Sequence, residues 1–288
     1  CLENDGTVDE DEIVETFTSK ISSAVESRRI SDAPVGVLAS GGIDSNALIE
    51  LLLSARPNDA LDLFFADNYT PEMSERPDVE IFLSHARKRH GGSTLRFRPS
   101  LQPIDEYLEW LKRLTWHYDE PIQFQNSPLL GGLCHHARRL GIKVLFSGEG
   151  MDEVLHGYAR FERTMGLLAD VDDRETILSN LYFGGGIQHV DLIKQLTKNV
   201  ADGPEETESW RWLETHLDHP LERLQLIHSQ KYRLQTLLQR QDRIGMAESI
   251  EIRVPFVAPR FLSWANGLPT RAKFNAVTGE TKVLLRKI

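Results

Sequence analysis

The stretch VGVLASGGIDSNAL, residues 35–48, joins the pattern of a buried strand to a glycine turn and the start of a helix. The apolar run Val35–Leu38 contains β-branched residues and has the length of a short strand. Gly41 and Gly42 follow it, and glycine lets backbone N–H groups approach a ligand closely. The helical pattern that begins at Asp44 adds the positive end of a helix dipole. The stretch therefore predicts a strand–loop–helix unit whose loop binds an anion.

The carboxylate of Asp44 in this loop has a plain structural interpretation and a functional one. Two glycines can serve the turn alone, and Asp44 can be an ordinary N-cap. That interpretation does not explain a carboxylate inside an anion cradle to which Ser40 and Ser45 add hydroxyl donors. A carboxylate repels a neighbouring phosphate unless a cation lies between them, and Mg²⁺ is the usual cation. The loop thus predicts a magnesium–nucleotide site.

Short apolar strands alternate with helical patterns through the first half of the chain. Further strand patterns occur in LDLFFA at 61–66, STLRFR at 93–98 and KVLFSGEG at 143–150. This alternation predicts a mostly parallel sheet with right-handed crossovers, sandwiched by helices. We therefore predict an α/β fold, with an α/β part at 1–160 and a mainly helical remainder of the same domain at 161–288.

Composition limits the classes of partner. A net charge of −10 in 288 residues argues against a broad nucleic-acid-binding face. The two cysteines, Cys1 and Cys134, are far apart in sequence, which fits a reducing compartment. The acidic N-terminus lacks the apolar core of a signal peptide, and no stretch approaches the roughly 20 apolar residues of a membrane span. We expect a cytoplasmic protein with no nucleic-acid or membrane partner.

Four segments resemble known sequences. SGGIDS at 40–45 resembles the pyrophosphate-binding loop of the N-type ATP pyrophosphatases, since it has neither the lysine of a Walker A loop nor the spacing of a dinucleotide loop. FSGEGMDEVLHGY at 146–158 is similar to the second signature of asparagine synthetases. DRIGMAESIEIRVPFVAPRFLSWANGLP at 242–269 and GETKVLLRKI at 279–288 resemble a later block and the lysine segment of that family. The resemblance implies an adenine nucleotide α-hydrolase-like (PP-loop) fold.

The resemblance also implies roles for individual residues, with ATP and Mg²⁺ as cofactors. Asp44 and Asp152 are the implied magnesium ligands. Glu149 is the implied base or proton carrier, or alternatively a residue that only positions ammonia. Lys282 is the implied lysine that stabilises charge on the departing pyrophosphate. Glu251, at a further marked position, completes the catalytic set. The implied nucleotide-binding residues are Leu38, Ser40, Gly41, Gly42, Asp44, Ser45, Phe65, Ala66, Gly148 and Lys282. The implied substrate-binding residues are Asn126, Ser127, Glu149, Tyr158 and Arg253.

Taken one at a time, several of these residues also have structural interpretations. Asp152 suits the acidic first turn of a helix, and Ser127 suits a helix cap. Tyr158 can be a packing residue, and Lys282 alone would be an ordinary surface lysine. The occurrence of two glycine motifs after two strands is what favours the functional interpretation.

The implied reaction adenylates a carboxylate, transfers the acyl group to an amine, and releases AMP and pyrophosphate. The default acceptor is the aspartate β-carboxylate, and the nitrogen comes from free ammonia or a separate glutaminase. No glutaminase domain is expected, because Cys1 is followed by LENDG and then a helix.

This departure from the glutamine-dependent enzymes leaves other functions open. A peptide or natural-product ligase similar to lasso peptide cyclases or β-lactam synthetases is one alternative, although the latter have a tyrosine in place of Glu149. A tRNA-thiolating pyrophosphatase fits the later motifs poorly. A non-catalytic nucleotide-binding subunit is the alternative from another class, and a homo-oligomer or a partner protein is compatible with each of these functions.

Overall fold

A computed structural model of the chain describes residues 10–67, 71–91, 95–168, 171–183, 207–275 and 278–288. Its centre is a five-stranded sheet in the order β3-β2-β1-β4-β5, in which every neighbouring pair is parallel. The strands are β1 (Val35–Leu38), β2 (Leu61–Asp67), β3 (Leu95–Leu101), β4 (Val144–Phe146) and β5 (Glu251–Arg253). The predicted α/β fold with a parallel sheet is confirmed.

The described helices before β4 include one that precedes β1, while the others lie in the connections that a parallel sheet requires. They are α1 (Glu10–Ser27), α2 (Ile43–Ala55), α3 (Arg76–Arg89), α4 (Ile104–Tyr118) and α5 (Ser127–Arg139). The strand order changes direction between β1 and β4, because the chain builds β2 and β3 on one side of β1 and places β4 on the other. In open α/β sheets, ligands bind at such a switch point, outside the carboxyl ends of the strands.

Helices dominate the described part of the chain after β4. They are α6 (Met151–Leu155), α7 (Ala159–Leu168), α8 (Arg174–Phe183), α9 (Glu208–Thr215), α10 (Leu221–His228), α11 (Leu234–Ala247), α12 (Pro259–Asn266) and α13 (Thr270–Lys273). A π-helical turn, Ser229–Arg233, joins α10 to α11. The two short strands β6 (Phe274–Asn275) and β7 (Glu280–Thr281) pair antiparallel. Single 3₁₀ turns cover Pro71–Met73, Pro255–Val257 and Leu285–Lys287.

The described residues form two compact units. The α/β unit comprises residues 10–150, 237–264 and 285–288, and the helical unit comprises the described parts of 151–236 and 265–284. Residues 237–264 belong to the α/β unit because β5 pairs with β4. The division of the chain at residue 160 stays a prediction.

Each unit has its own apolar core. In the α/β unit, Phe64 and Leu145 are fully buried beside Ile244 of α11. Gly36 of β1 is required there, because an added Cβ would lie 2.8 Å from Cε2 of Phe64. In the helical unit a separate cluster consists of Leu168, Leu178, Leu181, Trp210, Leu213 and Leu224. Full burial of a side chain of this size contributes about 1.5–3 kcal/mol.

Among the described helices, none combines the length and the hydropathy needed to cross a bilayer.

Candidate active site

The loop between β1 and α2 is held in shape by its own hydroxyl groups. Oγ of Ser45 is 2.9 Å from the carbonyl oxygen of Ser40 and 3.0 Å from that of Gly42, and it accepts a hydrogen bond from the Ser40 N–H at 3.1 Å. Oγ of Ser40 accepts from the Gly42 N–H at 3.2 Å. Ser45 is buried. Its hydroxyl therefore shapes the loop, whereas its predicted role as a donor to a ligand stays a prediction.

The backbone N–H of Gly41 binds an anionic oxygen in this structure. It donates a hydrogen bond of 2.8 Å to Oε2 of Glu75, the residue that precedes α3. A Cβ added at Gly41 would lie 3.1 Å from Cβ of Glu75, so glycine is needed for this approach. Carboxylate and phosphate oxygens are both anionic acceptors. The contact supports the predicted anion-binding character of the loop, and Glu75 was not predicted from the sequence.

The glycine turn after β4 lies directly against this loop. A Cβ added at Gly148 would be 3.1 Å from the carbonyl carbon of Asp44 and 3.2 Å from its Cβ. Asp44 lies in the first turn of α2, and β1 and β4 are neighbours in the sheet. The two motifs, more than 100 residues apart in sequence, therefore meet at the carboxyl ends of adjacent strands in the α/β unit.

The Glu149 side chain is fixed by two residues of α11. Oε2 of Glu149 accepts hydrogen bonds from Nη2 of Arg240 at 2.7 Å and from Nε2 of Gln241 at 2.9 Å. Oγ of Ser147 accepts from the Glu149 N–H at 3.2 Å and from Nε2 of Gln241 at 2.9 Å. Neither Arg240 nor Gln241 was predicted as a site residue, because the sequence of this segment shows only a helical pattern.

The segment before α5 reaches the same arginine. Oδ1 of Asn126 accepts a hydrogen bond of 2.6 Å from Nη1 of Arg240, whose guanidinium lies over the ring of Phe124 with its carbon 5.0 Å from the centroid. Ser127 is fully buried at the start of α5, and no described residue bonds its hydroxyl. The structure thus connects Asn126 to Glu149 through Arg240, while Ser127 does not act as a helix cap through its side chain.

Within the helical unit, Asp152 pairs with Lys282. Oδ1 of Asp152 is 2.7 Å from Nζ of Lys282, and Lys282 is largely buried. Gly157 makes room for this pair, since an added Cβ would overlap both the Asp152 carboxylate and the Lys282 chain. His156 and Lys282 adopt φ values of 53° and 55°. Such left-handed backbone is uncommon for residues other than glycine and often occurs at functional sites.

Tyr158 is bound to its own unit. Its hydroxyl donates to the fully buried Glu153 carboxylate and accepts from Nε of Arg233 at 3.3 Å. The Arg233 guanidinium also lies over the ring, 4.9 Å from the centroid. Burial and the charge of Glu153 raise the pKa of Tyr158. These contacts fit a packing residue, and its role in substrate binding stays a prediction.

The family model described as asparagine synthase matches residues 16–288. The chain belongs to the asparagine synthase family. A putative glutamine-hydrolysing asparagine synthetase of Mycobacterium tuberculosis is 27% identical over 94% of this chain and 44% of its own length. Asparagine synthetase 1 of Bacillus subtilis is 25% identical over 97% of this chain and 47% of its own length. The chain thus spans less than half the length of these family members.

Solved structures give a weaker similarity. The ammonia-dependent NAD synthetase of Campylobacter jejuni is 17% identical over 81% of this chain and 96% of its own, with a TM-score of 0.36. The fold described above therefore rests on the strand order and pairing of this chain.

Two residues at marked positions of the family pair with each other. Nε of Arg253 donates to Oε1 of Glu251 at 2.8 Å, and this hydrogen bond lowers the pKa of Glu251. Nη1 of Arg253 donates to the carbonyl oxygens of Arg28 and Ile30 at 2.6 and 2.7 Å. These bonds attach β5 to the chain that follows α1. The structure brings neither residue into the Glu149 network, so their catalytic and substrate-binding roles stay predictions.

The residues predicted to flank adenine lie at the end of β2. Phe65 is buried and packs its ring against Phe97 with the centroids 5.8 Å apart. Leu38 and Ala66 are partly buried against the apolar cluster of the α/β unit. Leu38 ends β1, the strand beside β2. Contact of these residues with a nucleotide stays a prediction.

Proposed function

We propose that the chain is an ATP-dependent, amide-forming ligase that adenylates a carboxylate and transfers the acyl group to an amine. The observation that carries this proposal is the contact between Gly148 and Asp44. It holds the loop bearing Glu149 against the loop whose N–H already binds an anionic oxygen. Membership of the asparagine synthase family supports the same reaction class.

The proposed first step makes the carboxylate reactive. An oxygen of the acceptor carboxylate forms a bond to the α-phosphorus of ATP, and the bond from that phosphorus to the bridging oxygen breaks. Pyrophosphate leaves with the bonding electrons. The loop N–H of Gly41 suits an anionic oxygen of ATP, and Lys282 is the proposed cation that stabilises the charge on the leaving group.

The proposed second step forms the amide. The amine nitrogen bonds to the acyl carbon, the bond from that carbon to the AMP oxygen breaks, and AMP leaves. The nitrogen must lose a proton. The Glu149 carboxylate is the proposed proton acceptor because Glu149 lies in the loop after β4, at the switch point of the sheet. Its side chain is 19% exposed, so it is reachable from solvent while being held by Arg240.

Asp44 and Asp152 are the proposed residues that hold Mg²⁺. The described residues contain no group of three or more His, Cys, Asp or Glu side chains that could hold a metal ion. Mg²⁺ does not need such a group, because it is commonly bound by one or two carboxylates together with waters and substrate phosphates. The Asp152 carboxylate already binds a cation, the Lys282 ammonium, which fits a cation ligand. When bound, Mg²⁺ supplies charge neutralisation of the phosphates.

Aspartate is the proposed acceptor and ammonia the proposed nitrogen source, either free or from a separate glutaminase. The test incubates the chain with ATP, Mg²⁺, ammonia and a panel of carboxylic acids that includes aspartate and peptides. AMP and pyrophosphate are measured together with the amide. Asp44→Ala is expected to abolish pyrophosphate release, whereas Asp105→Asn, an exposed carboxylate on α4, serves as the control.

Three outcomes are informative. Asparagine formed from aspartate and ammonia supports the proposal in full. Pyrophosphate release that requires a peptide retains the reaction class and replaces the acceptor. Nucleotide binding without turnover for any acid contradicts the ligase and supports a binding subunit.

A further inference from the structure

Arg240 is a buried cation in the middle of α11, only 6% exposed. A buried charge is costly unless it is paired and hydrogen-bonded, so its partners indicate what it is held for. Its described polar partners are Glu149, in the loop at the carboxyl end of β4, and Asn126, in the loop between α4 and α5. They do not lie in the apolar core that α11 otherwise covers.

The guanidinium connects two loops that are separate in sequence. Nη2 binds Oε2 of Glu149 after β4, and Nη1 binds Oδ1 of Asn126 before α5, while the flat face covers Phe124. The planar, forked donor geometry of arginine serves both partners at fixed angles, which lysine does not reproduce. Hydrogen bonds to charged groups are also shorter and stronger than neutral ones.

Both donors from α11 bind the same carboxylate oxygen. Oε2 of Glu149 accepts from Arg240 at 2.7 Å and from Gln241 at 2.9 Å. No described residue donates to the other oxygen, Oε1. The carboxylate is therefore fixed through one oxygen, and the second oxygen is available as an acceptor.

The helix that carries these donors is itself anchored. Glu248, directly after α11, is fully buried and pairs with Arg113 of α4 and with His135 and Arg138 of α5. Nδ1 of His135 lies 3.0 Å from Oε2 of Glu248. Since α5 begins beside Asn126, the ion pairs of Glu248 and the hydrogen bonds of Arg240 join α11 to α5 at two places. The Arg240 guanidinium is thus presented from a rigid support.

We propose that Arg240, assisted by Gln241, is a positioning residue for the amide-forming step, which rests on the function proposed above. It holds the Glu149 carboxylate through Oε2 so that Oε1 faces the attacking amine. As the nitrogen–carbon bond forms and the bond to AMP breaks, the proton from nitrogen passes to Oε1. Arg240 keeps its own proton throughout and does not touch the reacting atoms.

The test measures how often an activated acid becomes amide. In Arg240→Gln, Glu149 loses its fixed orientation, so water competes better with the amine for the acyl-adenylate. Because a misplacement of about 1 Å costs roughly 100-fold in rate, we expect the ratio of AMP to amide to rise by about 10-fold or more. The KM for the amine rises with it. The ratio of AMP to amide for Arg240→Lys is expected to lie between those of the wild type and Arg240→Gln. Added guanidinium is expected to lower this ratio in Arg240→Ala.

The matched control is Arg243→Gln. Arg243 lies on the same helix, and its polar partners among the described residues are the carbonyl of His117 and the carboxylate of Asp119. We expect its ratio of AMP to amide to equal that of the wild type. A milder variant, Gln241→Met, keeps the ion pair between Arg240 and Glu149 and removes the second donor to Glu149. It therefore tests the positioning of Glu149 even where Arg240→Gln fails to fold. Its ratio is expected to rise by a smaller factor.

The outcomes separate this inference from the function on which it rests. If the wild type makes no AMP with any acid, the proposed function fails. If the wild type couples AMP to amide and both Arg240→Lys and Gln241→Met couple equally well, Arg240 is a structural ion pair and the inference is wrong.

Discussion

Replacement of Gly148 by alanine tests the contact between the two motif loops. The new Cβ would lie 3.1 Å from the carbonyl carbon and 3.2 Å from both Cβ and the carbonyl oxygen of Asp44, where an ordinary contact begins at 3.4 Å. These neighbours are largely backbone at the start of α2, and they cannot rotate out of the way. We therefore expect overpacking to destabilise the α/β unit by about 1–3 kcal/mol.

The same substitution is expected to reduce activity beyond its effect on stability. If the start of α2 moves by a few tenths of an ångström, Asp44 moves with it. Since a shift of about 1 Å costs roughly 100-fold, we expect about a tenfold fall in kcat/KM for pyrophosphate release. Denaturant unfolding and a pyrophosphate assay at saturating acid measure the two effects separately.

Gly166→Ala on α7 is the matched control. A Cβ added there meets nothing within 4 Å. Alanine in a helix interior is expected to stabilise by about 0.5–1 kcal/mol relative to glycine. Unchanged stability and unchanged kcat/KM in Gly148→Ala would show that the two loops are not in contact, and the geometric argument for the site would fail.

Three further substitutions address single interactions. Glu75→Gln removes a carboxylate that competes with phosphate for the Gly41 N–H. Since such a hydrogen bond is worth about 1 kcal/mol, the KM for ATP is expected to fall by a few fold. A higher KM would mean that Glu75 supports the nucleotide site. Gly157→Ala introduces a Cβ into the aspartate–lysine pair, so pyrophosphate release is expected to drop at least tenfold, and wild-type release would contradict a role for that pair. Burial lowers the pKa of His156 from 6.5 to about 3. Between these pH values the imidazole is protonated in the unfolded chain and neutral in the folded one, so the free energy of unfolding falls as pH falls. Asparagine at position 156 tolerates the left-handed backbone. Between pH 5.5 and 4.5, His156→Asn is expected to remove about 1.4 kcal/mol per pH unit of the loss in unfolding free energy that His156 causes. Parallel curves of unfolding free energy against pH for the two proteins would refute the lowered pKa of His156.

The elements that were predicted well depend on local patterns. The run from Val35 to Asp44 contains a strand, a glycine turn and a helix start within ten residues, and the structure has each of them. The strand β5 was missed because it has three residues and is defined by pairing with β4, more than 100 residues earlier. Pairing of that kind leaves little local signal, since strand preference depends on neighbours across the sheet.

The site shows the same difference between local and non-local information. Glu149 and Asp44 lie inside recognisable motifs. Arg240 is one polar residue among several on a helix, and its sequence position does not reveal that it faces a loop about 90 residues earlier. Glu75 precedes a helix in an exposed segment, where a carboxylate is expected for the helix dipole alone. Side chains that reach a site from another element can be recognised only when the elements are placed.

The central claim is that the acceptor carboxylate attacks the α-phosphorus of ATP. It is tested most directly with an acceptor whose carboxylate carries ¹⁸O, followed by mass spectrometry of the products. We predict one ¹⁸O atom in the phosphate of AMP and none in pyrophosphate. Formation of ADP with ¹⁸O in inorganic phosphate would instead show attack on the γ-phosphorus and would contradict the account.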